Sequence, residues 1–137
     1  QFFIAANITL SDSEIEIAQS GEIDPTNTKR RMTGHSEWVT NFQISFDSKD
    51  EAHNATIVYN VFGDRIAYGG RGGLDDVYEQ PFHSLDFTYK YYPVEDMSIS
   101  FKAKNLLDEK TTYDQQDIEV YSKEPGSKYS IQVSYKF

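Results

Sequence analysis

Three histidines, His35, His53 and His83, are the chain's only imidazoles, and cysteine is absent. They lie far apart, at the expected ends of strands or edges of loops, without the short ligand spacing of a zinc site. With no cysteine there is no disulfide framework, thiolate site or cysteine nucleophile. Carboxylates are plentiful, with close pairs at Glu14 and Glu16, Asp75 and Asp76, and Asp108 and Glu109. A glycosidase needs two carboxylates flanking one bond, whereas adjacent residues of a strand project to opposite faces. The pairs therefore read as solvated loop charge, and neither an enzyme nor a cofactor or metal is expected. Gly69, Gly70, Gly72 and Gly73 surround Arg71 in a way that suggests a phosphate cradle. The Gly-Lys-Ser/Thr ending and following helix of that motif are missing, so a flexible loop is expected, built on glycine's backbone freedom.

Charge and composition narrow the function classes. A formal net charge of -9 opposes nucleic-acid binding, because phosphates must be neutralised by Lys and Arg. No apolar run of about 18 residues occurs, which excludes a membrane-spanning helix but not a membrane barrel. Aromatics make up 15% of the residues, with Tyr 10, Phe 9 and Trp 1, a load that needs either a core or lipid to face. The sequons at Asn7-Ile8-Thr9 and Asn54-Ala55-Thr56 fall inside expected strands and read as chance. Gln1 leads directly into the strand-like Phe2-Phe3-Ile4-Ala5-Ala6 with no signal peptide, which suggests a chain processed or cut from something longer.

Alternation with period two organises the chain into about six strands and no helix. Phe2, Ile4, Ala6, Ile8 and Leu10 share one face of the first. Trp38, Thr40, Phe42, Ile44 and Phe46 alternate with Val39, Asn41, Gln43 and Ser45. The 55–63 segment is less regular. Leu85, Phe87, Tyr89 and Tyr91 alternate with Ser84, Asp86, Thr88 and Lys90, and Met97 to Lys104 places Ser and Lys opposite Met, Ile, Phe and Ala. Tyr129, Ile131, Val133, Tyr135 and Phe137 oppose Ser130, Gln132, Ser134 and Lys136. Two connections are short and charged, Asp47-Ser48-Lys49-Asp50-Glu51 and Pro93-Val94-Glu95-Asp96. Three are long, roughly 18–36, 65–81 and 107–126, beyond ordinary hairpin length. Strict alternation of long and short connections places all long loops at one end of an antiparallel array, as outer-membrane barrels do.

Several stretches resemble the C-terminal barrel region of TonB-dependent outer-membrane receptors. They are Met32-Thr33-Gly34-His35-Ser36-Glu37-Trp38-Val39, Tyr59-Asn60-Val61-Phe62-Gly63-Asp64-Arg65-Ile66, and Gly72-Gly73-Leu74-Asp75-Asp76-Val77-Tyr78-Glu79-Gln80-Pro81. Lys104-Asn105-Leu106-Leu107-Asp108 and the final strand ending in Phe137 resemble the family's last hairpin. The pieces occur in family order over most of the chain; Asp75 stands where such receptors often have proline. The resemblance implies about the last quarter of a barrel of about 22 strands. It also implies a plug domain and a TonB-engaging motif N-terminal to these residues, and import of a scarce nutrient such as an iron chelate, a corrinoid or an oligosaccharide. Tyr129, Ile131, Val133, Tyr135 and Phe137 then resemble the terminal signal read by the barrel-assembly machinery.

The expectation is an all-β, antiparallel up-and-down array forming part of a transmembrane β-barrel in a bacterial outer membrane, its C-terminus periplasmic. Ile131 and Val133 would meet lipid, and Ser134 the lumen. Its partners would be outer-membrane lipid, the rest of its own barrel and plug, the assembly machinery and TonB. Two other readings stand beside it: a soluble β-sandwich or lipocalin-like binding module whose apolar faces meet each other, and a passive porin-type or adhesion barrel.

Overall fold

A computed structural model describes residues 1–19, 21 and 24–136. It is all-β, with twelve strands and no helix among the described residues. The strands are β1 (Phe2–Leu10), β2 (Ile15–Glu16), β3 (Lys29–Arg30), β4 (Trp38–Asp47), β5 (His53–Phe62), β6 (Arg65–Tyr68), β7 (Val77–Glu79), β8 (Phe82–Val94), β9 (Met97–Lys104), β10 (Thr111–Gln115), β11 (Ile118–Lys123) and β12 (Lys128–Tyr135). Six of them, the segments marked by alternation, form one sheet in the order β1-β4-β5-β8-β9-β12, antiparallel throughout. β1 and β12 are its outer strands, so the described sheet is open.

Register carries the alternation across all six strands. Ile4 faces Ile44, Ile44 faces Ile57, and Ile57 faces Phe87. Farther along, Tyr89 faces Phe101 and Phe101 faces Ile131. Directly opposed residues share a face of the pleat, so one face of the sheet is aliphatic and aromatic from edge to edge. The other carries amides, hydroxyls and charges. There Asn41 donates to Asn7 Oδ1 at 2.8 Å, Asn60 donates to Asn41, and the Ser45 and Thr56 hydroxyls meet at 3.1 Å.

The apolar face is uncovered. Phe2, Ile4, Ile8 and Leu10 on β1 are 66–75% exposed, and on β12 Ile131 is 73% and Val133 58% exposed. Buried hydrophobic residues are few and scattered: Val61, Ile66 and Ala103. A sandwich or lipocalin-like module would bury this face against a second layer, and no second layer covers it among the described residues.

The short connections close as tight turns. In 48–52, Ser48 Oγ donates to Asp50 Oδ1 at 2.5 Å and accepts from His53 N at 2.9 Å. Glu51 takes a positive φ of 58° to complete the reversal. The second is a two-residue turn between Val94 and Met97. It follows a bulge at 91–94, where Pro93 has no N–H to give the ladder. Both turns lie at one end of the sheet, and the three long connections lie at the other.

Those long connections are not structureless. The second supplies β6 and β7 and the third supplies β10 and β11, which join in a four-stranded sheet ordered β11-β10-β7-β6. The first supplies the small β2–β3 pair. Together they form a cap at the end of the main sheet. β10 and β11 reverse through Gln116 and Asp117, both at positive φ (53° and 61°), the geometry of a two-residue hairpin turn usually made by Asn-Gly or Asp-Gly.

Candidate functional site

The cap gathers most of the residues singled out in the 63–81 stretch. Arg65 opens β6 and lies directly across from Glu79 of β7. Its Nε donates to Glu79 Oε2 at 2.7 Å and its Nη2 to Oε1 at 3.0 Å, while its guanidinium lies 4.2 Å over the Phe62 ring. The hydrogen bonds to Glu79, opposed by burial, hold the Arg65 pKa above the ordinary arginine value. Val77, Tyr78 and Glu79 form β7 itself. Gln80 N then donates to Thr112 O at 2.9 Å, carrying the chain past β10 to Pro81 and β8.

Asp64 is held from the first connection. Arg31 Nη2 donates to Asp64 Oδ2 at 2.5 Å, Nη1 lies 3.5 Å from Glu37, and the guanidinium stands 5.9 Å from the Tyr78 ring centre. Burial raises the Tyr78 pKa, as do the Asp76 and Asp75 carboxylates, with Arg31 opposing. Burial, the largest single effect on Arg31, lowers its pKa, but the Asp64 hydrogen bond and the charges of Asp64 and Glu37, with a contribution from Tyr78, together outweigh it and raise it.

Asp76 is the buried point of the cap, 1% exposed. It accepts from Gly70 N at 2.7 Å through Oδ1 and from Asn27 Nδ2 at 3.2 Å through Oδ2. Asn27 also donates to Asp75 Oδ1 at 3.0 Å, and Gln115 of β10 donates to Asp75 O at 2.7 Å. The Asp75–Asp76 pair thus ties all three connections together, its carboxylates accepting from Asn27 and Gly70 and the Asp75 carbonyl accepting from Gln115. Gly72 and Gly73, at φ of 60° and 87°, turn the chain between Arg71 and Leu74, whose N donates to Arg71 O at 3.2 Å. The Gly69–Gly73 stretch, expected to be a flexible loop, is instead fastened. Gly70 O accepts from Thr26 N, Pro25 bridges to Arg71, and Gly70 has no room for a Cβ, which would fall 2.1 Å from Leu74 O.

Gly63 occupies the junction between β5 and β6. Its N donates to Trp38 O, its O accepts from the buried Ser36 hydroxyl at 2.8 Å, and a Cβ there would lie 2.6 Å from Trp38 Nε1. Below the third connection, Asn105 has the same organising part. It takes a φ of 53°, its N donates to Asp86 Oδ1, and its carboxamide serves Glu109 N, Glu109 O and Gly126 O.

The terminal-strand residues are remote from this cap. Tyr129, Ile131, Val133 and Tyr135 line the apolar face of β12, opposite Ala103, Phe101, Ile99 and Met97. Phe137 lies outside the described residues. The histidines are also dispersed. His53 Nδ1 meets Tyr89 Oη at 2.7 Å, His83 Nδ1 meets Tyr59 Oη at 2.6 Å, and His35 sits between the Ser11 and Ser13 hydroxyls, each at 2.8 Å. Among the described residues, no three His, Cys, Asp or Glu side chains are grouped to hold a metal ion.

Arg31, Asn27 and Gln115 were not singled out in the sequence. Their side-chain hydrogen bonds reach residues 33–49 positions away, so no local spacing marks them. Asn105 could have been found, since asparagine tolerates positive φ and the run containing it was already marked. Comparison with protein-family models, curated proteins and solved structures finds no match to this chain.

Proposed function

We propose that this chain contributes six strands to a transmembrane β-barrel of a bacterial outer membrane, in a receptor of the TonB-dependent type that imports a scarce nutrient. The observation that carries the reading is the continuous, uncovered apolar face. Burying one Ile, Leu, Val or Phe side chain is worth about 1.5–3 kcal/mol. The exposed residues of β1 and β12 alone therefore forfeit on the order of 10 kcal/mol in water, comparable to a domain's whole stability. Lipid removes that loss.

Strand length and rim chemistry support the same reading. The six strands run from 8 to 13 residues, bracketing the roughly 9–11 a tilted barrel strand needs. Amphipathic rings bound the apolar face, Trp38 and Tyr129 toward the cap and Tyr91 and Tyr135 toward the short turns. Tyr and Trp suit the boundary between lipid and water. The opposite face, lined by Asn41, Asn60, Thr56, Thr88 and Lys102, would look into the lumen. The long-loop cap would then be extracellular, and the short turns periplasmic. Energy coupling and the plug are assigned here to parts of the receptor other than these strands, on the family resemblance alone.

The test is an adjacent pair of substitutions in the full-length protein. Ile131→Lys, at mid-strand on the apolar face, is expected to cost about 2–4 kcal/mol of folding free energy in bilayers, with Gln132→Lys near zero. Equal costs at the two positions, measured by denaturant titration in lipid vesicles, would overturn the lipid-facing assignment.

A further inference from the structure

Two arginines of the cap stand apart from its ion-pair network. Arg30, in β3, and Arg71, in the turn after β6, line one cavity of about 190 Å³ together with Ile17, Pro25, Gly69 and Gly70. The bridge between Pro25 and Arg71 brings the two connections together there. Neither arginine has a carboxylate partner among the described residues; the cap's arginine ion pairs belong to Arg31 and Arg65. That is unexpected in a chain where 22 acidic residues outnumber 13 basic ones, because a paired acid is the ordinary way to seat a guanidinium.

Arg30 has unused hydrogen-bonding capacity. Its Nη1 reaches Thr33 Oγ1 at 3.3 Å, while its Nε is buried and without a partner. Native proteins rarely leave such a donor unmet. The Arg30 guanidinium packs directly on Gly69, where a Cβ would lie 2.8 Å from Nη2 and 3.0 Å from Cζ. Unpaired guanidinium groups, an unmet buried donor and adjacent empty volume together describe a place for negative charge.

We propose that Arg30 and Arg71 form an oxyanion site in the cap that takes a phosphate, sulfate or carboxylate group. The planar guanidinium fork matches the paired oxygens of such groups, and charge-assisted hydrogen bonds of this kind are strong. The volume sets the size of the occupant. It admits one oxyanion with a few waters, and falls below the roughly 300–1,000 Å³ of pockets that enclose drug-sized ligands. The site therefore takes either a free anion or the anionic end of a larger molecule. The glycine-rich stretch contributes here by making room for a side chain, not by wrapping phosphate in its backbone. The proposal stands on the cap alone and is independent of whether the main sheet meets lipid.

Calorimetric titration of the full-length protein in detergent with inorganic phosphate, sulfate, acetate and glucose 1-phosphate tests it. Saturable binding of at least one is expected, and tighter binding of the sugar phosphate than of phosphate would assign the anionic end of a larger ligand. Arg71→Gln and Arg30→Gln are each expected to weaken that binding about ten-fold or more, with Arg71→Lys losing less. Arg71 is exposed, so its substitution leaves the fold in place, and unchanged amide protection in β7 would verify this. The absence of saturable binding of any of the four up to about 10 mM, or equal affinity in the doubly substituted protein, would overturn the site.

Discussion

Arg65 and Glu79 face each other across two strands with two hydrogen bonds, and the Glu79 side chain is only 12% exposed. Their geometry separates them from the Lys29–Glu14 pair, which is 3.7 Å apart and largely exposed on both sides. Exposed pairs contribute about 0–1 kcal/mol, whereas loss of a charged partner at a part-buried site costs about 1.5–3 kcal/mol. Glu79→Gln is therefore expected to lower the opening free energy of β6 and β7 by that larger amount, read from native-state amide exchange. Glu14→Gln is expected to change nothing measurable. Tyr78 gives the cap a pH dependence. Burial and two neighbouring aspartates raise its folded pKa above 10.0, so the folded cap favours the neutral phenol. That stability is fully present below the unfolded pKa and is lost as the pH climbs through the raised folded value. Between those limits the cap should loosen in wild type and less in Tyr78→Phe, followed by exchange or by phenolate absorbance. Identical alkaline profiles would show that Tyr78 does not govern the loss.

At the scale of elements, the six long strands were legible because five carry their own period-two pattern, from Phe2–Leu10 through Lys128–Tyr135, and the less regular β5 lies between two of them. The six short ones were not. β6, β7, β10 and β11 are held by partners in other connections, such as Gln80 N to Thr112 O and Asn27 to Asp75, and nothing local announces them. Their turn lacks the usual signature too, because Gln116 and Asp117 adopt positive φ without glycine. Gly69, Gly70, Gly72 and Gly73 were noticed for their freedom, yet at Gly70, as at Gly63, close approach is what the fold uses. Gly63→Ala puts a methyl against the Trp38 indole and Gly70→Ala puts one against the Leu74 and Asp75 backbone. Overpacking of this kind costs about 1–3 kcal/mol, with Gly70→Ala the more severe because backbone cannot swing aside. A shift of the Trp38 emission is expected for Gly63→Ala only. Wild-type melting and emission in both variants would mean that the junctions tolerate a side chain.

Across the whole molecule, the face assignments followed from the sequence, whereas closure did not, because register says nothing about what lies beyond an outer strand. β1 and β12 each pair on one side only, and all nine residues of β1 and all eight of β12 are exposed. Their outer backbone groups cost several kcal/mol each if taken unpaired into lipid. In water the same edges are templates for pairing with other chains. Devices that blunt an edge are sparse: neither strand contains proline, and neither carries a charge between its ends, Lys128 standing at the first position of β12. The two edges run antiparallel to each other, so β12 of one copy can add to β1 of another without reversing the ladder, with apolar sides aligned. The 137-residue chain expressed by itself is therefore expected to associate in buffer and to disperse only in detergent or lipid. Multi-angle light scattering with and without detergent would measure this. Replacing Ile4 and Ile131 with lysine should reduce association by placing charge on both edges of the apolar face. A monodisperse monomer in detergent-free buffer that melts cooperatively would show that this face and these edges are satisfied within the chain, and would remove the physical basis for placing the sheet in a membrane.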